Sequence, residues 1–367
     1  MTEASAPLIP PPDPSSPSGV PRRGRGLLGR RASDRFRRED RHLIRHLVSL
    51  SVARGLSWLT RALPTGARLT FADWLAERIY RVSVQYQQNV SANLDQVAVF
   101  TGTARPDDDT VRAVFRTASR NWADLLLVPG KSKEEMNRDF QVVEGSWDIL
   151  NDALALRRGM VIVTAHLGAF DYIGQLLHAR GYALTAVTLR TTSRMMFDGV
   201  TALRRSHGMR LVEATPSGVR NAIQAIRRGE SSVFAMDRDF FQNGRPVTLF
   251  GRETTLPPGA VRIARDSRAP IVPIYARRVG NVHELMIHES FTIERTTDID
   301  ADLDAGLARI VASLERAIAT APDQWVMFQV VWPSEPADPV RVFPAESPLS
   351  GEFAERVGAS LPRRRPS

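Results

Sequence analysis

The stretch GMVIVTAHLGAFDYIGQLL, Gly159–Leu177, decides the fold of this chain. Its first part, Met160–Val163, is an apolar, β-branched run without a helical period, which is typical of a strand buried on both faces in a parallel sheet. After Gly168 the apolar residues recur at helical spacing, at Phe170, Ile173, Leu176 and Leu177. The stretch therefore predicts a strand that is followed directly by a helix.

Two titratable residues lie at the predicted junction: His166 follows the strand, and Asp171 falls in the first turn of the helix. Ligands of open α/β sheets bind outside the carboxyl ends of the strands, and a helix start offers unpaired N–H groups and the positive end of the helix dipole. The junction therefore favours acid–base chemistry. The alternative interpretation is a buried structural histidine, with Asp171 serving only as a helix cap.

Composition limits the possible classes of protein. The 367 residues, of which 43% are hydrophobic, are enough for one large globular domain or two. The absence of cysteine excludes disulfides, thiolate metal sites and cysteine nucleophiles. A net charge of +9 and a pI near 10.7 favour an anionic partner, either nucleic acid or the headgroups of a membrane surface.

The sequence shows no targeting or spanning segment. No run reaches about 18 apolar residues, and Met1–Gly19 has neither a basic nor an apolar region of a signal peptide. We therefore expect a cytoplasmic protein without a spanning helix. The proline- and arginine-rich residues 1–40 and the C-terminal residues 340–367 are predicted to be disordered tails.

A basic segment precedes the predicted core. Arg22–Arg45 carries ten arginines and continues into the amphipathic stretch Leu43–Leu63, a pattern typical of a helix that lies in a membrane surface. The alternative is a solvated tail followed by a helix that docks on the core. Nucleic-acid binding is disfavoured, because the segment has few aromatic residues and no recognisable reading module.

The remaining pattern predicts an N-terminal helical layer at residues 41–130 and an α/β core at residues 140–335. The predicted helices are Phe71–Asn93, Thr110–Leu127, Ser193–His207, Ser217–Arg228, Gly259–Arg265 and Ala301–Ala319. The further strands are Tyr182–Leu189, Leu211–Glu213, Ser232–Met236, Ile271–Ala276 and Glu284–His288. Gln242–Pro258 is a loop or short hairpin, and Trp325–Trp332 is a closing strand or buried turn. The fold class is α/β, with a mixed, largely parallel sheet flanked by helices.

The sequence lacks the motifs of several enzyme classes. The sequence has no G-x-S-x-G elbow, no phosphate-binding G-x-x-x-x-G-K-[ST] loop and no G-x-G-x-x-G fingerprint. His283 and His288 superficially suggest a zinc motif, but their spacing is one residue too long and the alternating polarity indicates a strand. We therefore predict no metal site.

An ordered set of motifs carries a family resemblance. An apolar strand is followed by HxxxxD at 166–171, D-R-D at 237–239, F-G-R at 250–252, P-P-G at 257–259 and I-V-P at 271–273. Together they resemble the lysophospholipid acyltransferase superfamily, in particular its bacterial lipid A biosynthesis branch, which includes the phosphatidylinositol mannoside acyltransferases. The resemblance covers roughly residues 45–333, and it implies a glycerol-3-phosphate acyltransferase-like fold.

The resemblance also implies site residues. In the family the motif histidine is the general base and the motif carboxylate orients it, which points to His166 and Asp171. The segments that border the acceptor pocket in relatives point to Asp237, Arg238, Asp239, Gly251 and Arg252. Many relatives have Asn and Trp where this chain has Ala169 and Phe170.

The implied reaction moves a fatty acyl chain from acyl-CoA or acyl carrier protein to a hydroxyl of a glycolipid or lysophospholipid. The protein would act at the cytoplasmic face of the cell membrane, as a peripheral protein with anionic lipid headgroups as partners. Direct transfer needs no metal, cofactor or covalent intermediate. The competing interpretation is a non-catalytic basic protein that binds membrane or nucleic acid and keeps the fold, but such a protein would not need His166 with Asp171.

The chemistry of the residues agrees with this reaction. A hydroxyl is a poor nucleophile near neutral pH, and a neutral His166 is suited to take its proton. Asp171 would hold the ring tautomer, and N–H groups around Gly168 would bind the developing oxyanion. Three arginines are candidates to hold a phosphate of the acceptor or of the donor's pantetheine arm: Arg190, Arg238 and Arg252.

Overall fold

Helices and strands alternate through most of the computed structural model, which describes residue 51 and residues 55–189, 194–206 and 208–332. The strands are β1 (Phe140–Glu144), β2 (Met160–Thr164), β3 (Leu184–Thr188), β4 (Arg210–Glu213), β5 (Ser231–Ala235), β6 (Arg245–Leu249), β7 (Arg252–Leu256), β8 (Ile271–Val279) and β9 (Val282–Ile287). The longer helices are α1 (Thr65–Val82), α2 (Val84–Thr101), α3 (Asp108–Leu127), α4 (Lys133–Arg138), α5 (Asp148–Ala155), α6 (Phe170–Ala179), α7 (Arg194–Arg204), α8 (Pro216–Arg227), α9 (Gly259–Ser267) and α10 (Ile299–Ala319). Short 3-10 turns lie at Val128–Gly130 and Pro322–Gln324.

Seven strands form one mixed sheet in the order β1-β9-β8-β2-β5-β3-β4. Only the β8–β9 pair is antiparallel, and every other neighbouring pair is parallel. All five residues of β2 are buried, because the strand lies between β5 and β8 and is covered on both faces. The predicted fold class and the predicted central strand are confirmed.

The register of β2 and β5 determines which residues meet at the edge of the sheet. The two strands are parallel and their last paired residues are Thr164 and Ala235. The residues two positions beyond each strand end, His166 and Asp237, therefore leave the sheet side by side. This is the edge at which open α/β sheets bind their ligands.

Helices cover both faces of the sheet. On one face, α9 and α10 bury residues such as Val261, Leu307 and Leu314 against the alternate residues of β2 and β8. On the other face, α5 and α6 contribute Leu150 and Leu176 to a second core cluster. Each face buries a continuous apolar surface, which accounts for the predominantly apolar strands.

An N-terminal helical layer precedes the sheet, as predicted. The side of α1 that faces α3 is formed by the small residues Ala72 and Ala76 together with Tyr80. The Tyr80 ring packs edge-on against Phe115 of α3, with 5.1 Å between ring centroids. The contact between α1 and α3 is therefore a small apolar cluster in which two alanines accompany one pair of aromatic rings.

Several elements differ from the sequence-based expectation. The predicted helix Phe71–Asn93 is divided at Ser83, whose backbone leaves the helical region between α1 and α2. Strand β1 and helices α4 and α5 were not predicted; β1 is an edge strand of alternating burial that pairs with β9. Trp325–Trp332, predicted as a closing strand or a buried turn, is a largely buried irregular segment, and its one ladder contact is an isolated bridge to Leu167.

The structure also bears on the predicted hairpin, the amphipathic stretch and the membrane-spanning potential of the chain. Gln242–Pro258 contains the hairpin β6–β7, which is one of the two forms predicted for it. Residues 55–62, within the predicted amphipathic stretch Leu43–Leu63, are helical. The predicted tails 1–40 and 340–367 lie outside the described residues. In the part of the chain that the structure describes, every helix is too short or too polar to cross a membrane.

Candidate active site

A tight turn after β2 carries His166. Gly168 has a φ of +47°, and a Cβ at this position would stand 2.4 Å from the carbonyl oxygen of Ala276, so the turn requires glycine. The His166 carbonyl accepts from the Val326 N–H at 2.8 Å, and the Gly168 carbonyl accepts from Asn121 Nδ2 at 2.6 Å. The backbone of the histidine is therefore fixed from both sides.

Asp237 holds the imidazole of His166. His166 Nδ1 lies 2.8 Å from Asp237 Oδ1, and the His166 N–H donates to Asp237 Oδ2 at 2.8 Å. Trp325 Nε1 also donates to Oδ2, at 2.9 Å. A carboxylate can only accept, so Nδ1 carries the proton and Nε2 is the basic nitrogen of the neutral ring.

The Asp237 carboxylate is fully buried yet ionised. Burial alone would raise its pKa, but the charge that His166 can carry and the hydrogen bonds from His166 and Trp325 outweigh burial and lower the pKa to about 2. A fixed negative charge behind the ring stabilises the imidazolium that forms when Nε2 takes a proton.

The opposite nitrogen of the ring is available to a substrate. Among the described residues, His166 Nε2 has no hydrogen-bond partner, and about 21% of the side chain is exposed. The Phe170 ring packs edge-on against the imidazole at 4.8 Å between centroids and limits its movement. The histidine is thus oriented on its buried side and open on the other.

The predicted contact between His166 and Asp171 is not formed. Both oxygens of the Asp171 carboxylate bind Arg204 Nη2, at 2.7 Å and 2.8 Å. Asp171 is the second residue of α6 and faces α7, where Arg204 lies, whereas Asp237 reaches His166 from the adjacent strand end. The geometry therefore assigns the orienting contact to Asp237 and gives Asp171 a contact that ties two helices together.

Of the N–H groups around Gly168 that were predicted to bind an oxyanion, that of Gly168 itself is already bonded. Its N–H donates to the carbonyl of Gln324 at 3.0 Å. In the described part of the chain, the next two N–H groups, of Ala169 and Phe170, have no acceptor. They stand at the start of α6, where orphan donors and the helix dipole favour a negative charge.

Arg238 lies next to the His166–Asp237 pair without a carboxylate of its own. Its Nη1 donates to Gln329 Oε1 at 3.1 Å, and its guanidinium stands 5.4 Å from the centroid of the Phe240 ring. Among the described residues it forms no ion pair, and burial lowers its pKa. A partly buried, unpaired guanidinium is suited to an anionic group of a substrate.

The other predicted substrate residues lie apart or serve the backbone. Asp239 Oδ2 accepts from the Gly244 N–H at 2.7 Å and from Thr255 Oγ1 at 2.8 Å, which ties the loop after β5 to β7. Gly251 forms the β6–β7 turn, and the exposed Arg252 follows it. Among the described residues, no hydrogen bond or ion pair joins Gly251 or Arg252 to His166 or Asp237. Arg190 lies outside the described residues.

Three supporting residues were not anticipated from the sequence: Asn121, Trp325 and Gln329. Trp325 belongs to an apolar run, which indicates that the side chain is buried, as the structure shows. A buried indole N–H needs a polar acceptor nearby, and this was the signal in the sequence. His283 and His288 pack in separate places, against Asp124 and Ser313. No group of three metal-ligating side chains occurs among the described residues.

Comparison with known proteins finds similarity over most of the chain. Residues 34–334 match the family model described as bacterial lipid A biosynthesis acyltransferase. The chain is 24% identical over 290 residues to a phosphatidylinositol mannoside acyltransferase of Mycolicibacterium smegmatis, covering 76% of this chain and 90% of the relative. It is also 24% identical over 250 residues to the Mycobacterium tuberculosis protein of that name, covering 67% and 77%.

Proposed function

The chain belongs to the bacterial lipid A biosynthesis acyltransferase family and is an O-acyltransferase, and we propose that it transfers a fatty acyl chain from a thioester donor to a hydroxyl of a glycolipid. The donor is acyl-CoA or acyl carrier protein, and a lysophospholipid is a second possible acceptor. The observation that carries the mechanism is the buried Asp237 carboxylate bound to Nδ1 of His166, with Nε2 open to a substrate.

The proposed reaction begins with the acceptor hydroxyl hydrogen-bonded to His166 Nε2. As the hydroxyl oxygen attacks the thioester carbonyl carbon, Nε2 takes the proton and the charge of the imidazolium is balanced by Asp237. The tetrahedral intermediate collapses by breaking the carbon–sulfur bond, and the leaving sulfur takes the proton back from Nε2. The products are an ester and a thiol, and the reaction needs neither a metal nor a cofactor.

The developing oxyanion requires hydrogen-bond donors, and the proposed ones are the N–H groups of Ala169 and Phe170. Both lack an acceptor among the described residues and both stand at the positive end of α6. Arg238 is proposed to hold a phosphate of the acceptor or of the donor, because its guanidinium forms no ion pair in the described part of the chain.

We place the reaction at the cytoplasmic face of the membrane, with the protein bound peripherally. The relatives are named for acylation of a phosphatidylinositol mannoside, a membrane lipid. In this chain the ten arginines of Arg22–Arg45 supply a cationic segment that would bind anionic headgroups. A function in nucleic-acid binding is not part of this proposal.

The experiment that tests the mechanism is thiol release from a long-chain acyl-CoA by His166→Ala, with and without a lipid acceptor. Turnover should fall by about 10²- to 10⁴-fold, since a positioned base contributes that much. His178→Ala, which changes a histidine at the other end of α6, is the matched control. Undiminished thiol release in a folded His166→Ala protein would sink the mechanism.

A further inference from the structure

Large exposed apolar side chains are concentrated in one short part of the molecule. Such side chains are normal when scattered singly, but a contiguous group marks an interaction site. Half of the exposed large hydrophobic residues of the described chain, 11 of 22, fall between residues 56 and 86. On α1 they are Phe71, Trp74, Leu75, Ile79 and Val82.

These five residues form one face of α1, which we call the outer face. At about 100° per residue they fall within an arc of about 140°. The opposite side of the helix carries the small residues that pack on α3. The usual arrangement of a surface helix is thus reversed, because the large apolar residues face outward: Val82 is 80% exposed, Phe71 60% and Trp74 52%.

The charges of α1 are divided in the same way. The acidic residues Asp73 and Glu77 turn toward α3 and pair there with Arg120 and Arg112. The exposed residues of α1 include no acid, and Arg78 lies within the outer face. The Arg78 guanidinium stands 5.4 Å from the centroid of the Trp74 ring and forms no ion pair among the described residues. The outer face is therefore apolar and cationic.

We propose that the outer face of α1 is a docking surface for the lipid bilayer, with Phe71, Trp74 and Ile79 entering the boundary between headgroups and acyl chains. An apolar helix face with tryptophan and arginine, and without acids, has the chemistry that an anionic membrane surface binds. The surface is distinct from the arginine-rich segment Arg22–Arg45, whose proposed contribution to membrane binding is its positive charge.

Charge disfavours the two other possible occupants. A second copy bound through this face about a twofold axis would place the same cationic face against itself. The arginine-rich segment Arg22–Arg45 is also a poor partner, because it carries ten arginines and only three acidic residues. An anionic bilayer surface can bury the apolar side chains of the outer face and can also pair with the charge of Arg78.

The position of the face connects it to the reaction. Helix α1 packs on α3, and α3 supplies the Asn121 amide that binds the carbonyl of Gly168, two residues beyond the proposed base. Packed helices have axes about 8–10 Å apart. Helices α1 and α3 therefore lie between a bilayer bound to the outer face and the turn that carries His166, a separation of about two helix diameters, or ~20 Å.

The test is co-sedimentation of the full chain with phosphatidylcholine vesicles, with and without phosphatidylglycerol, at low salt and at about 1 M salt. At about 1 M salt the Debye length is only about 3 Å, so binding by the arginine segment is screened while apolar insertion persists. The variant Phe71→Ser/Trp74→Ser/Ile79→Ser should lose vesicle binding at high salt by on the order of tenfold or more.

The control is Leu156→Ser/Val219→Ser/Val279→Ser, which removes exposed apolar groups outside the outer face. It should bind vesicles as the wild type does. His166→Ala should also bind vesicles normally, so an error in the proposed docking surface can be distinguished from an error in the proposed catalytic mechanism. The substituted residues of the outer face are exposed, so the variants should fold. If the triple variant does not fold, the double variant Ile79→Ser/Val82→Ser repeats the test. Unchanged high-salt binding in either folded variant overturns the proposal.

Velocity sedimentation of the same proteins tests the second copy as occupant. The wild type and the outer-face variant should have the same oligomeric state in the absence of lipid. A wild-type dimer that the substitutions convert to monomer, with vesicle binding retained, would show a protein interface instead and would also overturn the proposal.

Discussion

At the scale of single residues, two carboxylates compete for the role of orienting the base. Asp237 binds Nδ1 of His166, whereas Asp171, the carboxylate of the HxxxxD motif, pairs with Arg204. The motif spacing alone favours Asp171, because it ignores which residue the neighbouring strand brings to the same edge. The parallel register of β2 and β5 resolves the competition in favour of Asp237.

We therefore predict different outcomes for the two conservative substitutions. Asp237→Asn should lower turnover by about 10²- to 10⁴-fold, because the amide cannot stabilise the imidazolium and favours the wrong ring tautomer. Asp171→Asn should weaken the contact between α6 and α7 by about 1 kcal/mol or less, and should change turnover per folded molecule only a few-fold. Turnover and thermal unfolding of both variants give the answer. The reverse ranking would restore Asp171 to the orienting role.

Arg238 gives the second prediction at this scale. Its guanidinium donates a hydrogen bond to Gln329 and forms no ion pair among the described residues. Because no buried ion pair would be broken, Arg238→Lys should fold nearly as well as the wild type. Activity should nevertheless fall through a higher KM or lower kcat, because lysine keeps the charge but lacks the planar fork for a phosphate. Arg252→Lys, at an exposed position after the β6–β7 turn, is the control and should be silent. Early melting of Arg238→Lys with normal kinetics would instead identify a structural arginine.

At the scale of elements, the turn between β2 and α6 fixes the position of the base. Gly168→Ala places a Cβ 2.4 Å from the Ala276 carbonyl oxygen and 2.7 Å from Arg277 Cα, in addition to the cost of about 1–2 kcal/mol for a left-handed conformation. Gly102→Ala is the matched control, since Gly102 also has a positive φ, of +68°, but no atom within 4 Å of the added Cβ. Only Gly168→Ala should lose both stability and turnover, as measured by chemical unfolding and thiol release. Equal destabilisation by both variants would contradict this account of the turn.

The elements also show where the sequence is informative. The buried run Met160–Val163 predicts its strand well, because four apolar residues without helical period fit little else. The edge strand β1 carries a weaker signal, since its alternation extends over only five residues. The break at Ser83 could not be anticipated from apolar spacing, which continues from α1 into α2. Asp237 was recognised as a site residue, but its role depends on strand adjacency, a long-range feature that spacing does not report.

At the scale of the whole molecule, buried histidines make the stability depend on pH. Burial, together with the positive charges of Arg278 and Lys131, lowers the pKa of His283 to about 3. Burial also lowers the pKa of His288 to about 4, against the opposing charge of Glu144. Below about pH 6.5 the unfolded chain binds protons at both histidines and the native protein does not. Each histidine therefore removes about 1.4 kcal/mol of stability per pH unit as the pH falls toward its native pKa.

His283→Phe isolates one of these contributions. The His283 ring packs against Phe140 and Tyr172, and its buried Nδ1 has no partner in the described chain, so a phenyl ring fits the site. Asp124 lies beside His283, and burial raises its pKa to about 6, so its protonation increases the stability of the native protein as the pH falls. This contribution is present in both the wild type and His283→Phe. The loss of unfolding free energy between about pH 7 and about pH 5 should therefore be about 2 kcal/mol smaller in His283→Phe than in the wild type. Urea unfolding at the two pH values measures this difference. Tyr86→Phe, at an exposed aromatic, should leave the loss unchanged, and an equal loss in His283→Phe would show that the native histidine titrates normally.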